Sequence, residues 1–326
     1  MRHSILIFFL LCVFTSLLNA QWVKITVPTT ADLTSIHFIN DDIGWISCSD
    51  GKVLKTTDGG NSWISYSTGL NRRLQTIQFL NENVGWVAGN NSALAKSTDG
   101  GLTWTPQTIG ISTIISSMFF IDEMNGFLSC AGLNESACLA KTTNGGASWQ
   151  TYGSENWPWL ISMYFTSGQT GYAVGGAGYV LKTTNFGTNW NIQIVGDQNL
   201  EDVTFSDEFT GWVVGHSGKI LKTANGGGSW INQSTNTSQA LYSVDFKNND
   251  IGITVGHYGA ALATFDGGTT WQSFSLETNR RLLQVLFTPS AAWIVGDYGS
   301  CYKQANTNLY ISNISSNEIL TVGTQK

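Results

Sequence analysis

The sequence predicts an all-β chain: a seven-bladed β-propeller of four-stranded antiparallel blades, closed by the N-terminal strand. Three observations carry this. A unit of about 41 residues recurs along the chain, the apolar pattern inside each unit has period two, and one strand's worth of sequence stands in register ahead of the first unit. Periods of this length mark repeat architectures.

The repeat is clearest at Leu200–Trp230, LEDVTFSDEFTGWVVGHSGKILKTANGGGSW. Its closing tryptophan recurs as Trp63, Trp104, Trp149, Trp190, Trp230 and Trp271, at spacings of 41, 45, 41, 40 and 41. The midpoint recurs as Gly44-Trp45, Gly85-Trp86, Gly126-Phe127, Gly171-Tyr172, Gly211-Trp212, Gly252-Ile253 and Ala292-Trp293. Seven midpoints and six closing tryptophans leave the seventh unit one strand short. Trp22 precedes Leu33 by 11 residues, as Trp63 precedes Leu74 and Trp271 precedes Leu282. The stretch Gln21–Pro28 is therefore expected to complete the seventh unit and close a ring, which removes open sheet edges.

Within a unit the apolar positions alternate with polar or small ones (Val203, Phe205, then Trp212, Val214). That is the pattern of half-buried strands. Turn clusters every six to ten residues predict four strands, in the fifth unit Leu200–Phe205, Gly211–Gly215, Lys219–Thr223 and Ser229 onward. The third position of the first strand reads Ser35, Thr76, Ser117, Ser162, Asp202, Ser243 and Gln284. Small polar side chains there suit innermost strands converging on a crowded channel.

Residues 1–20 read as a signal peptide: Arg2 and His3, an apolar run Ile5–Leu18, and a small-residue end at Ala20. The mature chain, propeller 21–308 and a linker-like tail 309–326, is expected to be secreted or periplasmic, with no membrane span after cleavage, and to act as a monomer. Without Arg2 the chain has 15 basic and 22 acidic residues. An acidic balance argues against nucleic acid as a partner.

Four cysteines remain, Cys48, Cys130, Cys138 and Cys301. The third unit is four residues longer, and the insertion lies between Cys130 and Cys138. Two strands joined by that turn place these thiols opposite each other, and export permits a disulfide. Cys48 and Cys301 become neighbours if the ring closes. Metal ligation is the weaker alternative, as no Cys-x-x-Cys or paired His accompanies them. No metal or other cofactor is expected.

The turn before each tryptophan follows Ser/Thr-x-Asp-x-Gly-x-Ser/Thr-Trp, with Asp58, Asp99 and Asp266, and with Asn144, Asn185 and Asn225 in the acid's place. An Asp or Asn side chain accepts backbone N–H groups of its own turn. These are the Asp-box repeats seen in sialidases and related propellers, and they are expected to staple the fold. The whole sentence, F-x(5)-G-W-x-V-G-x-x-G-x-I-L-K-T-x-D/N-G-G-x-S/T-W, resembles the photosystem II stability and assembly factor family over Leu33–Lys303. The resemblance implies a seven-bladed, exported, non-catalytic protein that binds a newly made membrane protein. It also implies an arginine patch on the propeller.

The strand order places the turns between strands two and three on one face, together with the connections between units. The Asp-box turns emerge on the other. The first face is where the copies diverge, and loops carry specificity. Two connections there read Asn71-Arg72-Arg73-Leu74 and Asn279-Arg280-Arg281-Leu282, the only arginines after residue 20. Arginine suits a carboxylate- or phosphate-bearing partner, and a protein partner with an acidic or membrane-protein segment is expected; solvated arginines covering loop backbone are the bland alternative. The same face carries Glu155, Trp157, Trp159, His216, His257, Tyr258, Asp297 and Tyr298. Trp157 and Trp159 either mark a recognition surface or cap the core.

A sialidase needs three arginines from different blades and a tyrosine nucleophile, which two doublets in two units do not supply. Related Asp-box glucanases set two propellers across a cleft, and this chain has one. No phosphate loop, zinc motif or nucleophile elbow appears. A protein-binding, non-catalytic module is therefore expected, with a glycan-binding, glycoside-hydrolase-like or sialidase-like propeller as the alternative.

Overall fold

A computed structural model describes residues 22–132, 137–153 and 157–305. The expected signal peptide, Gln21, Glu155 and the tail beyond 305 lie outside the described residues. Seven four-stranded antiparallel sheets are arranged around an axis. The innermost strands are Leu33–Phe38, Leu74–Phe79, Thr113–Phe120, Leu160–Phe165, Leu200–Phe205, Leu241–Phe246 and Leu282–Phe287. In the fifth blade the strands run Leu200–Phe205, Gly211–Gly215, Ile220–Thr223 and Ile231–Gln233, within two residues of expectation. Among the described residues no helix is long and apolar enough to cross a membrane.

The ring closes as the register requires. Val23 pairs with Lys303 and Lys24 with Tyr302, making residues 23–24 the outermost strand of the seventh sheet. The Ile25 amide donates to the Cys301 carbonyl at 2.8 Å. Trp22 lies flat on Phe274, centroids 5.7 Å apart, while Ile25 and Val27 pack into the core between blades 7 and 1.

What joins the blades is an aromatic cycle. Trp45 stacks on Phe79 of the next blade at 3.7 Å between centroids, Trp86 on Phe120 at 3.6 Å and Trp212 on Phe246 at 3.4 Å. Phe127, Tyr172 and Trp293 stack likewise on Phe165, Phe205 and Phe38. Only between blades 6 and 7 does an aliphatic residue, Ile253, take the place, in one core cluster with Phe287. The closing tryptophans meet the same phenylalanines edge-on, as Trp104 meets Phe79 and Trp271 meets Phe246. Offset and edge-on pairs add to the area they bury. The Gly before the midpoint aromatic of blades 1 to 5 follows from this packing: a Cβ at Gly85 would lie 2.5 Å from the Phe79 ring.

The Asp-box turns hook onto this cycle. Thr56 Oγ1 donates to Asp58 Oδ1 at 2.8 Å and accepts the Gly60 amide at 2.9 Å, while Asp58 accepts the amide and hydroxyl of Ser62. Where Asn144 replaces the acid, its Oδ1 still accepts the Ser148 amide and its Nδ2 donates to the Ser148 hydroxyl. The turn keeps its shape without the charge. Trp45 Nε1 then donates to the Gly100 carbonyl of the next blade's turn at 2.9 Å, and Trp212 Nε1 to that of Gly267 at 3.2 Å.

The channel wall carries titratable groups. Asp245 accepts the amides of Phe246 at 2.9 Å and Phe287 at 2.7 Å, joining blades 6 and 7. Removal from bulk water pushes its carboxyl up to about 7. The folded chain thus holds this proton where the unfolded chain has released it. Its contribution to stability is complete below the ordinary value of 3.8 and is lost as pH rises through about 7. Burial raises Asp202 in the same sense. Asp245 and Asp202 therefore pull thermal melts down as pH rises from 5 to 8, against the opposite pull, below about pH 6.5, of buried His37, which desolvation lowers to about 4. The fall should shrink in Asp245→Leu, which installs the residue type found at Leu286 of blade 7; pH profiles that superimpose would remove Asp245 from this account.

Candidate functional site

All seven third-position residues predicted to face the channel, from Ser35 to Gln284, line one axial cavity of about 450 Å³. Arg73, Arg281, Glu201 and Tyr242 also line it, which places it at the end bearing the divergent loops. In six of the blades a backbone hydrogen bond holds the strand-two-to-three turn against the connection entering its own blade. The Asn90 amide donates to the Arg73 carbonyl at 2.9 Å, and the Asp297 amide to that of Arg281 at 3.0 Å. In blades 2 and 7 this approach leaves no room for a side chain on the second strand's last residue. A Cβ on Gly296 would lie 2.2 Å from the Arg281 carbonyl oxygen, and one on Gly89 would lie 2.1 Å from that of Arg73.

The two arginine doublets come together, and their members divide. Arg73 Nη1 donates to Asp32 Oδ2 at 2.8 Å. Arg281 grips Asp297 through Nε at 2.7 Å and Nη2 at 3.1 Å. Asp32 also accepts the Tyr298 amide at 3.1 Å, tying both pairs across blade 1. Burial works against the ionised form of Asp32. The hydrogen bonds from Arg73 and the Tyr298 amide, and the charges of Arg73 and Arg281, outweigh it and hold the carboxyl below its ordinary value. These inner arginines are neutralised and fixed. Of the exposed outer ones, Arg72 donates to the Asn71 carbonyl at 3.1 Å, while Arg280 donates to the Tyr298 carbonyl at 3.0 Å and lies 5.0 Å from the Tyr298 ring centre.

Around the rim, His216 pairs with Glu201 at 2.8 Å. Burial lifts Glu201 above the ordinary carboxylate range although His216 works the other way. His257 sits 4.1 Å from the Tyr258 ring and 6.2 Å from that of Tyr242. Tyr258 and Tyr298 occupy the middle of their turns at φ of 51° and 54° and are 64% and 66% exposed. A bulky non-glycine residue is uncommon there, and such strain clusters at functional sites. The turn presents both rings to solvent.

The structure separates other residues from this group. Trp157 packs in the core of blades 3 and 4 with Phe165 and Trp190, whereas Trp159 is 54% exposed over Gly176 in blade 4. Asp297 is buried beneath Arg281, so it anchors the arginine and presents no surface of its own. Asp50, another acid of this face, pairs with Lys52 at 2.9 Å. Among the described residues no group of three His, Cys, Asp or Glu is close enough to hold a metal ion. Sequence reasoning missed Asp32. Its signal is the column immediately before each innermost strand, where Asp32 stands between Arg73 and Arg281 in ring order.

A closed propeller whose repeats build the frame and whose divergent loops carry charge at one axial mouth defines a scaffold propeller of the Asp-box class. The chain belongs to the family described as photosynthesis system II assembly factor YCF48, whose model matches residues 14–110, 66–151 and 228–307, more than half of its length. Among solved structures, YCF48 from Cyanidioschyzon merolae superposes with a TM-score of 0.74 at 18% identity, covering 88% of this chain and 99% of that one. YCF48 bound to D1 peptide gives 0.73 at 20% identity, covering 87% and 97%. The GH74 xyloglucanase from Xanthomonas campestris gives 0.68 at 11% identity, covering 88% of this chain but 54% of that one. These likenesses carry the fold. No curated protein matches the chain.

Proposed function

We propose that this protein is a non-catalytic protein-binding module, an assembly or chaperone-like factor, which grips an acidic segment of a partner with the arginine-bearing mouth of its propeller. One observation carries the reading. The two Asn-Arg-Arg connections flank blade 1, where Arg73–Asp32 and Arg281–Asp297 pairs fix the backbone while Arg72 and Arg280 stay exposed. The exposed pair supplies charge and the fixed pair supplies position. That a YCF48 structure holds a D1 peptide supports a peptide segment as the class of partner. The apolar run Ile5–Leu18 behind Arg2 supports action outside the cytoplasm, secreted or periplasmic, after cleavage at Ala20. Mass spectrometry of the exported protein would then find Gln21 at its N-terminus.

The test is an array of acidic peptides probed with labelled protein, beside an oligosaccharide array. Replacing both Arg72 and Arg280 by Ala should weaken peptide binding about tenfold, from roughly 1.4 kcal/mol of lost charge-assisted contact, and flatten its salt dependence. Unchanged peptide affinity, or binding confined to the oligosaccharides, would reject the assignment of this mouth.

A further inference from the structure

The third blade differs from its siblings in one respect that the binding face does not use. Its second and third strands run Gly126–Gly132 and Ala137–Thr142, longer than the pair Gly85–Gly89 and Leu94–Ser97 of blade 2. The added length brings Cys130 directly opposite Cys138 in the ladder. Both side chains enter the same core cluster, between blades 2 and 3, beside Trp86, Leu94 and Ile115. Directly opposed residues of an antiparallel pair have Cα atoms about 4.5–5.5 Å apart, inside the 4.4–6.8 Å that a disulfide spans. The thiols already lie within hydrogen-bonding reach of each other, and that contact, with burial, raises the Cys130 thiol.

We infer that Cys130 and Cys138 form a reversible cross-strand disulfide that locks the extended hairpin of blade 3. Cys48 and Cys301 stay reduced in the same molecule. Each of them faces a non-cysteine in its own sheet: Cys48 pairs with Leu33, and Cys301 with Val295. Both are buried, and burial pushes Cys301 up to about 12.

The oxidant is a small-molecule disulfide, glutathione disulfide. Cys138, 8% exposed against 0% for Cys130, is the entry point. Its thiolate attacks one sulfur of the oxidant, forms a mixed disulfide and expels one glutathione thiolate. The Cys130 thiolate then attacks Cys138 sulfur and expels the second glutathione. The two protein thiols lose two electrons and two protons, and the oxidant becomes two reduced glutathiones. The ladder holds the Cys130 sulfur opposite Cys138, so expulsion of the second glutathione needs no rearrangement of the strands.

The full folded chain, incubated with glutathione disulfide and then unfolded in an alkylating agent, provides the test. Peptide mapping should show Cys130 joined to Cys138 with Cys48 and Cys301 alkylated. The melting temperature should rise by about 4 °C, as expected for closing so short a loop in a chain of this size. Reduction should reverse both changes. In Cys138→Ala, Cys130 should be alkylated and the rise absent. Four alkylated cysteines in the oxidised wild type, a lasting glutathione adduct on Cys138, or a bridge involving Cys48 or Cys301 would overturn the assignment.

Discussion

Deleting Gln21–Pro28 should lower the melting temperature by about 8 °C. The segment supplies the outermost strand of the seventh sheet, Val23–Lys24, and packs Trp22, Ile25 and Val27 against blades 6, 7 and 1. Losing three partly buried apolar side chains costs about 5 kcal/mol at roughly 1.5–3 kcal/mol each. The deletion also bares the outer edge of Ser300–Ala305, so aggregation on heating should increase. Trimming residues 310–326, past the last repeat, is the control and should leave the melt within about 1 °C. Differential scanning calorimetry of both truncations decides the matter: equal midpoints would show that the ring does not depend on its N-terminal strand.

Phe79→Ala should rank next. Phe79 lies flat under Trp45 of blade 1 and meets Trp104 of its own blade edge-on, so one ring holds two blades and a turn together. Truncating a buried phenylalanine costs about 4 kcal/mol, roughly 6 °C here. Phe79→Leu should recover most of the volume but not the stacking, and should fall between. At Phe287, where the inter-blade partner is Ile253, alanine should cost less than at Phe79. Equal losses at the two positions would show that the stack adds nothing beyond burial, which urea denaturation of the pair resolves.

The fold was legible in the sequence because each of its devices repeats. The Gly-aromatic midpoint, the Asp-box turn and the lone Trp22 fix strand order, faces and closure by register alone. What the midpoint aromatics do was not legible, since a stack such as Trp45 on Phe79 joins residues of different copies. The candidate site was legible in part for the same reason. Arg72, Arg73, Arg280 and Arg281 stand out as exceptions to a repeat. Asp32 and Glu201 do not, because an isolated acid in a loop or strand carries no signal until its partner is placed beside it. Asp297 read as a surface residue because its turn is exposed. Only the bidentate contact with Arg281 turns it inward.

Blade 1 is thus the centre of the proposed binding face although it contributes neither arginine doublet. Its Asp32 holds Arg73 from one side and the Tyr298 turn from the other. The division into carboxylate-held arginines, Arg73 and Arg281, and the outer Arg72 and Arg280 follows from that placement. It lets the mouth present positive charge without leaving buried charges unpaired, which is costly.

The most direct measurement is hydrogen–deuterium exchange on the full chain with and without an acidic peptide selected from the array. Binding at the proposed mouth predicts protection of residues 71–75, 279–283 and 297–299, with the Asp-box turns at 58–62, 99–103 and 266–270 unchanged. Protection confined to the Asp-box turns, with the two arginine connections exchanging as in the free protein, would contradict it.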